Sequence, residues 1–503
     1  MGVKRYRCFS LLLAVLAIFG GSEAFCRENP PISADTQNCL MCHQDISPNI
    51  YANWKKSRMS QTTPAKAQEK PELERRVSFE SRPEGMAEVV VGCAECHTLR
   101  PGAHEGTFSH QGYQVHTVVT PDDCAVCHPV ERSQFSENLM SQAHGNLQGN
   151  PVFSDLVRAA NGPMALENMH ISQARPAPET DADACLSCHG TKLSVTGKTS
   201  RETDFGPMEF PKIEGWPNQG VGRVNTDGSK GSCSACHSRH RFAIEMARKP
   251  YTCSECHKGP DVPAFKAYKV SKHANVVDSL SRGRDWDFSA VPWTAGRDFT
   301  APTCAVCHIS LVASPDGRVR AERTHRMNDR LAWRIFGLIY AHAHPKSADT
   351  TRIENKNGLP LPTALDGTPA QNHLISKEEQ EVRTERLKGV CQTCHSTQWV
   401  DGHFQQFHHT IETTNHQTRV ATRIMVRAWE NGAVSRKESL FDEAMERRWV
   451  EQWLFFANST RFASAMMGAD YGVFENGRWM QTRNAHELLE TLRVRLGNNT
   501  EVE

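Results

Sequence analysis

Two cysteines three positions apart, with a histidine directly behind the second, occur eight times in this chain. The first copy reads Cys39-Leu40-Met41-Cys42-His43. The others place Cys93, Cys96 and His97; Cys124, Cys127 and His128; Cys185, Cys188 and His189; Cys233, Cys236 and His237; Cys253, Cys256 and His257; Cys304, Cys307 and His308; and Cys391, Cys394 and His395. In this arrangement the two thiols add across the vinyl groups of a haem, and the adjoining imidazole takes one axial position on its iron. A single copy would fit half a zinc site equally well. Eight copies use 16 of the 18 cysteines, which predicts eight covalently attached haem c groups.

Each iron has a second axial position. The chain has 24 histidines, and setting aside the eight in the motifs leaves 16 to fill it. Candidates are His116, His144, His170, His240, His273, His325 and His403, which lie outside the motifs and often beside small or polar residues. Each could instead be a surface histidine or a support for another ligand, and His408, His409 and His416 compete with His403. A haem held by two imidazoles carries electrons at low potential and offers no vacant position. Catalysis therefore needs at least one iron whose far side is open.

The elements that must hold these groups are unevenly legible. Met1–Ala24 reads as a secretory leader: Lys4, Arg5 and Arg7 precede the apolar run Leu11–Phe19, and Ser22-Glu23-Ala24 ends it. Cys8 falls inside it, and Cys26 becomes the second residue after cleavage. Phe25 stands where a lipoprotein would have a small residue. The expected compartment is the periplasm, where paired cysteines usually form disulfides, but the histidine behind every pair argues for thioethers. With 58 basic against 57 acidic side chains there is no field for nucleic acid. Only 38% of residues are hydrophobic, so the porphyrins must supply much of the buried apolar surface.

Residues 25–402 read as the haem-binding catalytic domain. Intervals between motif histidines run from 20 residues (His237 to His257) upward with no fixed period, which excludes a repeat array. Intervals of 31 (His97 to His128) and 48 (His189 to His237) also suggest close neighbours. Proline and glycine clusters at Pro211–Pro217 and Asn357–Pro369 mark loops. Residues 403–503 lack proline and read as a helical oligomerisation region. There Phe441, Met445, Trp449, Trp453 and Phe456 form an apolar stripe at helical spacing, with Ser435 and Glu438 as a capping box and Gly468 as a stop. The plain reading of the stripe is core packing; the alternative is a subunit interface. An earlier helix is expected over His416–Glu430, ended by Asn431-Gly432, and a third capped by Asn484 and Glu487 through Leu496.

The order and flanks of the motifs resemble the hydroxylamine oxidoreductase family of octahaem cytochromes. The resemblance is carried by Val118-Val119-Thr120-Pro121-Asp122-Asp123-Cys124, by Asp227-Gly228-Ser229 leading to Cys233-Ser234-Ala235-Cys236-His237-Ser238-Arg239-His240, and by Cys256-His257-Lys258-Gly259-Pro260-Asp261. It continues through Pro292-Trp293, Asp298-Phe299-Thr300-Ala301-Pro302-Thr303-Cys304 and Gly468-Ala469-Asp470-Tyr471. These flanks are specific to the family and not to the direction of its reaction. The resemblance implies a mainly α multihaem cytochrome c with a loop-rich haem core and long C-terminal helices, assembled as a homotrimer. It also implies that the fourth haem, on Cys185, Cys188 and His189, is catalytic, and that the other seven are bis-histidine carriers. Oxidising members join that haem to a tyrosine of a neighbouring subunit. Tyr471 is the nearest counterpart here, and a packed tyrosine after a helix stop is its plainer reading. They also share an Asp-His pair beside the haem. The matching place reads Asp261-Val262, which leaves Asp261 as the candidate proton shuttle, or as a turn-capping residue after Gly259-Pro260.

Loss of that imidazole removes a proton acceptor suited to neutral pH. The expectation is therefore reduction of nitrite or hydroxylamine to ammonium, with electrons from a small cytochrome or a membrane quinol dehydrogenase. Oxidation of hydroxylamine or hydrazine at the same iron is the alternative. A chain with eight six-coordinate haems would be an electron wire and catalyse nothing.

Overall fold

The computed structural model describes residues 29–283, 286–436 and 439–497. The leader, Cys8, Cys26 and Glu438 lie outside them. The fold is mainly α, with 46% helix of all kinds against 11% strand. None of its described helices is long and apolar enough to cross a membrane.

Most motifs sit on or beside a short helical turn. Cys93–His97, Cys185–His189 and Cys304–His308 are five-residue helices, Cys39–His43 lies inside Ala34–Ile46, and Cys391 ends Lys377–Cys391. The spacing requires this, because side chains three apart on a helical turn share one face and so present both thiols to one porphyrin edge. Loops and small hairpins join the turns. Two of the hairpins matter below: Phe108–His110 with Tyr113–Val115, and Met164–Glu167 with His170–Gln173.

The C-terminal region packs as helices around an apolar core of Ile424, Met425, Trp429, Met445, Trp449, Trp453, Leu488 and Leu492. All five stripe residues are buried, so the stripe is core. Its helix begins later than the sequence suggests: Ala444–Val450 is capped by Glu443 and Glu446, and Glu443 Oε1 also accepts from the Ser435 backbone N–H. A π-helical segment, Glu451–Phe456, leads into Ala457–Met466. Met467, at φ 62°, takes the left-handed stop expected of Gly468.

The preceding helix ends at Glu430 as anticipated but starts at Thr397, behind the cap of Ser396, and crosses position 403 unbroken. Its first half escapes an apolar-stripe reading because its inward face is Trp399, His403, Phe407 and His408, which line the haem cavity. Asn484 does not cap the last helix, Arg478–Arg495, but lies inside it. It donates to the Arg448 carbonyl, while Gln481 donates to the Phe456 carbonyl. These two side chains bracket the π segment, whose altered ladder needs outside partners.

Candidate active site

A single branching cavity of about 4600 Å³ runs through the molecule, several times the roughly 300–1,000 Å³ of a small-molecule pocket. Every cysteine and histidine of all eight motifs lines it. The sixteen motif cysteines are all free thiols, although the expected compartment is oxidising. A shared cavity, unpaired thiols and histidines aimed inward are the donor set for covalently attached haem, and the residues fit that group.

Thiol neighbours give the order of the motifs in space. Cys124 is in hydrogen-bond contact with Cys233, Cys188 with Cys256, and Cys253 with Cys304. At longer range Cys39 acts on Cys93, Cys127 on Cys96, Cys253 on Cys236, and Cys391 on Cys307. The motifs thus run first, second, third, fifth, sixth, seventh, eighth, with the fourth branching from the sixth. The short intervals anticipated two of these contacts, second to third and fifth to sixth. For the fourth motif, the thiol in contact is on the sixth motif and not the fifth.

Two imidazoles on one iron, each bound at about 2 Å with its ring centre about 1.1 Å further out, stand about 6.2 Å apart. Four motif histidines have a second ring at that separation: His43 with His110 at 6.1 Å, His97 with His240 at 6.4 Å, His237 with His325 at 6.4 Å, and His395 with His273 at 6.1 Å. Burial pushes His237, His240 and His325 down to about 4, so these rings are neutral and keep a lone pair for a metal.

Seven histidines outside the motifs line the cavity: His110, His116, His240, His273, His325, His403 and His408. His116 also lies 6.2 Å from His97, but its backbone carbonyl accepts from His97 Nδ1 at 2.8 Å, and its own ring nitrogens face the Val118 and Leu99 carbonyls. It thus stands behind the proximal ring, stacked on His104 at 3.6 Å. His144 is off the cavity wall, with Nδ1 donating to the Gly190 carbonyl at 2.7 Å. His170 is exposed on its hairpin. His110 did not emerge from the sequence reading, although a signal was present. Gln111 (φ 49°) and Gly112 (φ 83°) form a tight turn with positive φ at both central residues, the hairpin type that Xaa-Gly favours.

Among the described residues, no second imidazole stands at this separation from His128, His189, His257 or His308. His189 is firmly held. Its Nδ1 faces the Ala143 carbonyl at 3.1 Å, which turns Nε2 toward the iron position. Gly190 closes the turn at φ 86°, and a Cβ there would meet the Arg223 backbone nitrogen at 2.2 Å. Burial lowers the pKa of His189, opposed by the Ala143 carbonyl and the Asp261 carboxylate. Asp261 also acts on His257, which places it between the fourth and sixth motifs. Arg334, on the cavity wall, and His144 also bear on His189.

Two loops flank this motif, and one helix ties both. On Ala457–Met466, Asn458 Nδ2 donates to the Asp261 carbonyl at 2.8 Å. Arg461 Nη1 donates to the Ile335 carbonyl at 3.1 Å and to Asn458 Oδ1 at 3.2 Å, and its Nη2 donates to Asn415 Oδ1 at 2.7 Å. Both side chains are fully buried, and burial lowers Arg461 to about 9. Tyr471 lies off the cavity, 3% exposed, against Ala267, Phe462 and Ala463 of its own chain. Val262 packs against the same cluster.

Comparison with known proteins gives the following. Residues 214–333 match the family model described as seven times multi-haem cytochrome CxxCH, and residues 38–129 match that of cytochrome c554 and c-prime. A probable nitrite reductase-hydroxylamine oxidoreductase fusion protein of Kuenenia stuttgartiensis is 26% identical over 377 residues, covering 72% of this chain. The chain spans only 35% of that relative's length. A solved structure described as a hypothetical multiheme protein is 39% identical with a TM-score of 0.86, covering 93% of this chain and 96% of that one. A reducing HAO-like protein complex of Kuenenia stuttgartiensis is 16% identical with a TM-score of 0.60, over 92% and 85% of the two chains, and shares the fold.

Proposed function

This chain belongs to the hydroxylamine oxidoreductase-like family of multihaem c-type cytochromes and binds haem c covalently, and from that premise we propose that it reduces nitrite or hydroxylamine to ammonium. Eight haems occupy the cavity, seven of them as carriers. Cys185, Cys188 and His189 would hold the haem that binds substrate, and the groups held by the other motifs would supply stored electrons. Complete reduction of one nitrite consumes six electrons and eight protons and yields ammonium and two waters. Hydroxylamine consumes two electrons and three protons and yields ammonium and one water.

The chain's own residues do the rest. The Ala143 carbonyl fixes the His189 ring. Asp261, in a loop pinned by Asn458, accepts protons from water and delivers them at the fourth motif. The protein works as a periplasmic homotrimer fed by a small cytochrome or a membrane quinol dehydrogenase.

The observation that carries the reductive direction is the packing of Tyr471. Its ring packs against Ala267, Phe462 and Ala463 of its own chain, which favours a structural tyrosine over the crosslinked one that the resemblance gives to oxidising members. The test is steady-state turnover. Reduced viologen with nitrite or hydroxylamine should yield ammonium, whereas hydroxylamine with an oxidised acceptor should react far more slowly. An Asp261→Asn variant should lose roughly 10²-fold or more in kcat with little change in KM. Faster oxidation than reduction, or a haem that remains joined to Tyr471 after denaturation, would overturn the assignment.

A further inference from the structure

Among the arginines on the cavity wall, several are already committed. Arg132 pairs with Asp122, Arg323 with Glu131, and Arg248 donates to the carbonyls of Phe288 and Ala290. Arg334 is different. Its guanidinium lies on the cavity wall 5.0 Å from the Phe336 ring centre, with no hydrogen bond and no ion pair among the described residues; Arg239, 5.2 Å from the Trp216 ring, shares that condition but is exposed and bears on the second motif. Its backbone is fixed by pairing with His342 across Trp333–Arg334 and His342–Ala343, and by the bond from Arg461 to the next carbonyl.

A half-buried cation on a cavity wall without a counter-charge is costly, and no described residue pairs with it. Asp261 bears on His189, yet it makes no ion pair with Arg334. His342 sits across the ladder as a neutral ring, pushed down to about 3 by burial and then by Arg334 itself. The working protein must therefore bring an anion to this place. A guanidinium presents parallel N–H donors, which match an anion with two oxygens on one central atom. Two sources share that chemistry: an oxyanion substrate and a haem propionate.

We infer that Arg334 is the anion-positioning residue of the fourth motif, holding the two oxygens of nitrite beside the iron carried by His189. This rests on the reductive reading of that site. It adds a selectivity: Arg334 serves nitrite and is indifferent to hydroxylamine, which is uncharged in mildly alkaline buffer.

The test compares wild-type holoprotein with Arg334→Gln and Arg334→Lys, checked first for full haem content. Nitrite binding to the oxidised protein is followed by optical titration, alongside KM for nitrite and for hydroxylamine with reduced viologen. In Arg334→Gln the nitrite dissociation constant and KM should both rise roughly 10- to 100-fold, the loss expected for one charge-assisted bond. The hydroxylamine KM should stay within about twofold, and Arg334→Lys should recover part of the nitrite affinity. Unchanged nitrite binding, with a shifted midpoint potential for one haem, would assign Arg334 to a propionate and overturn the inference. Parallel weakening for nitrite and hydroxylamine would overturn it too. Wild-type protein that binds nitrite but turns over neither substrate would sink the reductase reading, while the binding comparison would still decide the role of Arg334.

Discussion

His110 and His170 sit on two short hairpins, and their fates show what a single residue's sequence context can and cannot say. His170 is solvent-exposed, and its neighbours Met169 and Ile171 are exposed with it. His110 stands 6.1 Å from His43. The Gln111-Gly112 turn signals a hairpin at His110 but not its role, because a ligand is selected by where the hairpin docks. His240, His273 and His325 were legible as candidates, but their partners were not, since pairing joins positions up to 143 residues apart (His97 with His240). At this scale the expected outcome is clear. His110→Ala should convert one low-spin haem to high-spin, visible in magnetic circular dichroism of the oxidised protein, while His170→Ala should leave the spectrum of the isolated protein unaltered. A high-spin signal from His170→Ala would require that hairpin to reach a haem.

At the scale of elements, the C-terminal helices were legible wherever their buried face meets protein, as at Trp449 and Trp453. The half of the long helix from Thr397 to His416 was not, because its inward face meets haem and is therefore built from Trp399, His403, Phe407 and His408. Inside this region Glu446 is fully buried, accepting from Trp429 Nε1 at 2.8 Å and from the Glu443 N–H at 3.1 Å. Burial, reinforced by Asp442, raises it to about 7. The folded chain thus holds this proton more tightly than the unfolded chain. Its stabilising contribution is complete below the ordinary carboxylate range and is lost as pH rises through about 7. Thermal unfolding measured from pH 5 to pH 8 should show the wild type losing on the order of 1–3 kcal/mol relative to Glu446→Gln, which cannot ionise. Parallel curves would mean that Glu446 is already charged in the fold.

For the whole molecule, nothing in the motif spacing announces that all eight motifs open into one space. The motif count was plain, yet the branch of the fourth motif from the sixth depends on Cys188 meeting Cys256, residues with a full motif between them. A cavity of this size, with apolar walls and several buried guanidinium groups, cannot hold its shape when filled only with water, because the wall residues lose both packing and counter-charges. Chain made without haem attachment should therefore be protease-sensitive and lack near-ultraviolet dichroism from Trp399 and its neighbours, while the C-terminal helical core keeps part of its far-ultraviolet signal. Native-like resistance in haem-free protein would contradict this dependence.

The central claim is that the iron carried by His189 is open to substrate, while those carried by His43, His97, His237 and His395 are closed by a second imidazole. Electron paramagnetic resonance of the oxidised holoprotein, titrated with nitrite, addresses it most directly. The account predicts a high-spin ferric signal that disappears as nitrite binds, against low-spin signals from at least the four paired haems that do not move. Eight low-spin haems unaffected by nitrite would contradict it and leave the protein an electron carrier.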